Sequence, residues 1–130
     1  EEYLNKQSLE KCIDLARKYP DNKLVAIVDN RVVGFVGYLE DSRPYASINP
    51  SSEIMAIYLL KKYHHNGLGY ELMQEALKKI TKKDVILYVL KENNNAISFY
   101  FKMGFQLTGN QIRKSVIGGE LVELEMVLNR

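Results

Sequence analysis

The chain has 130 residues, 46% hydrophobic and 26% charged, which is ordinary for one folded domain and excludes disordered and collagen-like chains. The 18 Lys and Arg against 16 Asp and Glu leave a net charge of +2, too mild a basic excess to point to nucleic acid. One cysteine forbids an internal disulfide and suits a reducing, cytoplasmic setting, and beside 2 histidines it is a poor supply for a metal site.

Residues 1–10, EEYLNKQSLE, carry neither a basic start nor an apolar stretch, so no secretory signal is read there, and the chain does not begin with Met. Ser8 to Tyr19 reads as a helix. Leu9, Ile13 and Ala16 recur at helical spacing with Cys12 among them as a small core residue, Ser8 caps the start, and Pro20 ends it. Lys23 to Val28 and Val32 to Leu39 read as strands. Asp29-Asn30-Arg31 between them is hairpin chemistry, because Asp and Asn tolerate positive φ. A loop, DSRPYASINPSS, follows. Glu53 to Leu60 reads as a strand apolar on both faces, hence central. Gly67 to about Thr81 reads as an amphipathic helix with Leu68, Leu72, Met73, Ala76, Leu77 and Ile80 on one face. Asp84 to Leu90 is the next buried strand. It holds the longest strictly apolar run, Val85 to Leu90, far short of the ~20 residues that span a bilayer, so no membrane partner is expected. Asn95 to Met103 is a short helix stopped by Gly104. Phe105 to about Ile112 and Glu120 to Leu128 form a last strand pair, turned at Gly118-Gly119. Strand–helix–strand steps in the middle imply parallel pairing, and hairpins at both ends imply antiparallel pairing. The fold class is α/β, a mixed sheet with helices on its faces.

Two segments carry chemistry. Strand EIMAIYLL runs through KKYHHNGLGY into a helix. A helix start leaves backbone N–H groups without partners at the positive end of its dipole, and glycine lets a ligand approach, so this unit suits a pyrophosphate. Gly67-Leu68-Gly69 reads equally as a tight turn feeding a helix, and it is neither GxGxxG nor a P-loop. The second segment is NNNAISFYFKMGF. Phe99, Tyr100 and Phe101 cannot all enter one core, because successive helix positions diverge by about 100°. At least one faces elsewhere, and Tyr100, with its hydroxyl, gains from a wet cleft; it reads equally as an amphipathic packing residue. His64 and His65 are loop residues; adjacent side chains on an ordered loop diverge, so no shared metal is expected.

These segments resemble the GNAT superfamily of N-acetyltransferases. His64-His65-Asn66-Gly67-Leu68-Gly69 is similar to its acetyl-CoA motif [Q/R]-x-x-G-x-[G/A], with His64 at the Q/R position. Asn93, Ala96, Phe99, Tyr100, Lys102, Gly104 and Phe105 keep the spacing of its N-x-x-A-x-x-[L/F]-Y-x-K-x-G-F pattern. The resemblance covers about residues 8–128. It implies one N-acetyltransferase domain over 1–130, incomplete or divergent at its start, since the family's first strand and helix are not found before Ser8.

What the resemblance implies is an enzyme that moves the acetyl group of acetyl-CoA, its cosubstrate, to a primary amine by direct attack in a ternary complex. The amine is a small one such as a polyamine, or one on a protein or peptide, and a homodimer is allowed. Two parallel strands splay to seat the cofactor. Leu59 binds the pantetheine arm through its backbone, flanked by Tyr58 and Leu60. The amides of His65, Asn66, Gly67, Leu68, Gly69 and Tyr70 hold the pyrophosphate beside His64, whose weaker charge leaves more of the binding to those amides. Asn93 binds the arm from the neighbouring strand. Tyr100 is the general acid for the thiolate. Glu53 resembles the general base of several members, or else is a strand-entry charge facing water. Lys102 touches the coenzyme A phosphates, or else is an exposed helix lysine. The alternative function is a non-catalytic coenzyme A-binding sensor or assembly subunit.

Overall fold

The computed structural model describes residues 22–130. The helix expected over Ser8 to Tyr19, with Cys12, lies outside the described residues.

Six strands form one sheet in the order β1-β2-β3-β4-β6-β5: β1 Lys23–Val28, β2 Arg31–Leu39, β3 Ser52–Leu59, β4 Asp84–Leu90, β5 Gln106–Val116 and β6 Gly119–Asn129. Helix α1, Leu68–Lys79, joins β3 to β4, and α2, Asn94–Lys102, follows β4. Among the described residues, only β3 and β4 pair in parallel; the other four pairings are antiparallel. The mixed sheet expected from the order of elements is the one observed.

Local chemistry explains the joints. Asp29 and Asn30 take φ of 50° and 63°, so Val28 faces Arg31 across a two-residue turn of the kind that matches strand twist. In the last hairpin Val116 faces Gly119, which places the turn on Ile117-Gly118, one residue earlier than the Gly-Gly pair suggests. There β5 runs to Val116 rather than Ile112, because its far half is an exposed ribbon whose pairing with β6 needs no apolar face.

Among the described residues, both helices pack on one face of the sheet. Leu72, Met73, Ala76 and Leu77 of α1 and Ala96 and Tyr100 of α2 join Ile54, Ile57, Leu59, Val85, Leu87, Val89 and Met126 in one core. Ile54 and Ile57 both enter this core although strict alternation would send them to opposite faces. The reason is a bulge: Gly37 faces Ala56 while Tyr38 faces Ile54, leaving Met55 as an extra residue in β3. The second sheet face carries Glu53, Tyr88, Glu125 and Glu123, and the β2–β3 loop folds onto it.

Candidate functional site

The central feature is a gap between parallel neighbours. β3 and β4 are bridged at Ser52–Val85, Glu53–Ile86 and Ile54–Leu87, and nowhere beyond. Past Ile54 each strand continues, to Leu59 and Leu90, without its neighbour. The parting starts at the Met55 bulge, where a bulged strand bends.

Pairing on the other edge fixes which way Leu59 points. Leu60 N donates to Val33 O at 2.8 Å on β2, and amides alternate along a strand, so the Leu59 N–H and C=O face the gap. The carbonyl is engaged there: His64 Nε2 lies 2.8 Å from Leu59 O and donates to it. This imidazole therefore closes the strand end. Tyr58 is half-buried and Leu60 is exposed, on the two sides of a fully buried Leu59.

Beyond Leu60 a 3-10 turn, Lys61–Tyr63, leads into the glycine loop. His65 has φ of 65° and Gly67 of 87°, so the chain reverses twice to reach α1. A Cβ added at Gly67 would meet nothing within 4 Å; its positive φ, not crowding, favours glycine there. Asn66 Oδ1 accepts from Leu68 N at 3.1 Å, while the amides of Gly69 and Tyr70 belong to the first turn, where a helix has no partner of its own to offer. The gap at the end of β3 thus opens beside the positive end of a 12-residue helix.

Across the gap, Asn93 follows the end of β4 and caps α2, its Oδ1 accepting from Ala96 N at 3.2 Å. Lys102 is exposed in the last turn of α2. Of the three aromatics, Phe101 is the one that faces solvent, at 48% exposure, while Tyr100 is 5% exposed. The Tyr100 ring sits in the core at 5.6 Å from Phe99 and 6.0 Å from Phe105, because the apolar stripe of α2 runs through Ala96 and Tyr100, so the packing alternative describes its ring.

Glu53 is not a charge facing water; it is fully buried. Arg43 of the β2–β3 loop grips it: Arg43 Nε donates to Oε1 at 3.2 Å and to Oε2 at 3.0 Å, Nη2 donates to Oε2, and the Arg43 amide donates to Oε1 at 3.1 Å. Burial works against the Arg43 charge, but this pairing outweighs it and raises the guanidinium above its ordinary value. Three N–H donors of one residue, the Arg43 amide, Nε and Nη2, thus hold the carboxylate.

The residues that the sequence reading missed lie on the same face. Tyr88 is the first residue of β4 past the last bridge to β3, and its hydroxyl donates to Glu125 Oε2 at 2.8 Å. Burial, then that carboxylate, raises the Tyr88 phenol above its ordinary value. A usable signal existed: β4 is apolar on both faces, so a neighbour must be covered on both, and Glu125 alternates with Leu124 and Met126 in such a neighbour.

The Acetyltransferase (GNAT) family model matches residues 2–105. The chain is 32% identical over 94 residues to "Spermidine N(1)-acetyltransferase" of Thermoplasma acidophilum, covering 66% of this chain and 58% of that protein. It thus spans less than two thirds of the length of the curated relatives it matches. Its structure superposes on that of smu.2055 from Streptococcus mutans with a TM-score of 0.70 at 25% identity, over 90% of this chain and 76% of the other. It also superposes on a paia N-acetyltransferase of T. acidophilum in complex with coenzyme A, with a TM-score of 0.58 at 26% identity, over 96% and 73%. With a family match over most of the sequence and a sheet that parts where the family's motifs lie, the chain belongs to the acetyltransferase (GNAT) family.

Proposed function

We propose that this chain is an acetyl-CoA-dependent N-acetyltransferase whose acceptor is a primary amine, either a small polyamine-like amine or a peptide amine. The observation that carries the reading is the parted β3 and β4, opening at the glycine loop and the start of α1. A spermidine acetyltransferase among the relatives supports the polyamine class.

In this reading the pantetheine arm lies in the gap along the Leu59 edge, flanked by Tyr58 and Leu60 and met by Asn93 from the far side. The diphosphate rests on the amides of residues 65–70, with His64 bracing the strand end and Lys102 adding charge at the rim. The amine loses a proton, attacks the thioester carbonyl, and forms a tetrahedral oxyanion that a β3 backbone amide facing the gap stabilises. Collapse breaks the C–S bond, and Tyr100 returns a proton to the thiolate, a phenol near 10 serving a thiol near 8.5. Glu53 takes the amine's proton once Arg43 has released it. Positioning and electrostatics supply the rest.

The test is coenzyme A release when acetyl-CoA is mixed with an amine panel that includes spermidine and short peptides. Release with at least one amine is expected. Binding of acetyl-CoA without release from any amine would overturn the enzyme in favour of a coenzyme A sensor. Tyr100→Phe is expected to lower turnover by about 10–1000-fold; full activity would leave Tyr100 as packing alone.

A further inference from the structure

Glu125 is fully buried on the sheet face opposite α1 and α2, and its hydrogen-bond partners come from three separate parts of the chain. Ser47 of the β2–β3 loop donates its amide at 3.0 Å and also its hydroxyl. Tyr88 of β4 donates at 2.8 Å. Thr108 and Asn110 of β5 donate at 2.7 and 3.3 Å.

The β5 contribution depends on a second bulge. Leu107 faces Met126 and Gln111 faces Leu124, so Thr108, Gly109 and Asn110 together oppose Glu125 alone. Gly109, at φ of 93°, lets the chain loop so that side chains on both sides of it reach one carboxylate. Regular pairing would have offered one. Every one of these donors is neutral, and Glu125 forms no ion pair among the described residues.

The same loop is held a second time, by Arg43 on Glu53, and Tyr45 lies against Tyr88 with ring centroids 5.2 Å apart. Two buried carboxylates from different strands therefore pin one exposed loop over the point where β3 and β4 separate.

We propose that Glu125 is a positioning residue that fixes the β2–β3 loop and Tyr88 as the wall of the amine entrance. The proposal rests on the acetyl-transfer reading. The cofactor's phosphates belong at the start of α1, at the far end of β3, and the thioester then reaches the vertex of the gap. Among the described residues, Tyr88 and the loop flank the vertex on the face opposite α1 and α2, and the amine comes to the same carbonyl from that side. Glu125 touches neither reactant; it acts through Tyr88 and Ser47.

The experiment compares Glu125→Gln and Ser47→Ala with wild type, the second variant altering only an exposed loop residue. Two readouts are taken: steady-state KM for amine and for acetyl-CoA, and chymotryptic cleavage after the half-exposed Tyr45, followed by mass spectrometry. Both variants are expected to raise the amine KM by about tenfold, inside the ~10²-fold that misplacement can cost, and to leave the acetyl-CoA KM within about twofold. Cleavage after Tyr45 should quicken in both. An amine KM equal to wild type, both KM values rising together, or unchanged cleavage after Tyr45 would each overturn the positioning role. Wild type that acetylates no amine would instead sink the acetyl-transfer reading, while the cleavage rates would still decide whether Glu125 holds the loop.

Discussion

In the proposed reaction single side chains serve anchoring and chemistry at once, and Glu53 shows the tension. Its burial and its grip on Arg43 tie the loop down, yet the proposed chemistry asks it to accept a proton. Glu53→Gln is expected to lower kcat/KM for acetyl transfer by about tenfold or more, as loss of a general base does. An unchanged kcat/KM would leave Glu53 as an anchor alone. Gly34 offers a different residue-scale check. A Cβ there would sit 2.6 Å from Tyr58 O and 2.8 Å from Leu59 Cδ1, so β2 must shift away from the strand end that lines the gap. Gly34→Ala should cost about 1–3 kcal/mol, as overpacking does, measurable by urea denaturation. Side-chain chemistry was the least legible level in the sequence. The aromatic run forces a divergence but does not say which ring leaves, and the structure sends out Phe101 while keeping Tyr100 in the core. Nothing in DSRPYASINPSS announces that Arg43 and Ser47 reach carboxylates on two different strands, because those contacts depend on how the loop folds back.

At the level of elements the sequence was far more readable. The apolar runs of β3 and β4 and the 3.6-residue stripe of α1 report burial directly, and burial is what periodicity encodes. Bulges are invisible to that reading, because one extra residue only shifts an alternation that an all-apolar strand does not display. Met55 is the case in point. Removing it restores alternation: Ile54, Ile57 and Leu59 would face the helices, with Ala56 and Tyr58 opposite. A Met55 deletion is therefore expected to fold with β3 straightened toward β4. Its affinity for coenzyme A by calorimetry should fall by about tenfold or more, as lost preorganisation predicts. Wild-type affinity would show that the bulge does not make the gap.

For the molecule as a whole, the carboxylates that tie distant parts together set its response to acid. Hydrogen bonds from Thr81 and then Lys82 hold Glu40 down at about 2, joining the end of β2 to the segment before β4. Burial pushes Glu125 upward, but its donors outweigh that and hold it below its ordinary value. Both shifts are downward on folding, so each group adds stability that is present above its unfolded value and lost as pH falls through the folded one. Melting temperature should hold from pH 7 to about 5 and fall below that, with Glu40 contributing between its ordinary 4.5 and about 2. Glu40→Gln should flatten the lowest part of that curve, and an unaltered curve would remove Glu40 from it.

The parted strands also leave an interior edge. Leu59 is fully covered, yet its N–H is turned away from β2 toward a place where no described strand supplies a ladder partner. Such an edge accepts any extended chain able to supply a carbonyl. A cofactor arm lying there would act as a surrogate strand, knitting the two halves of the sheet. Deuterium uptake at the Leu59 amide should accordingly be fast in the empty protein, despite its burial, and slow sharply once coenzyme A is added.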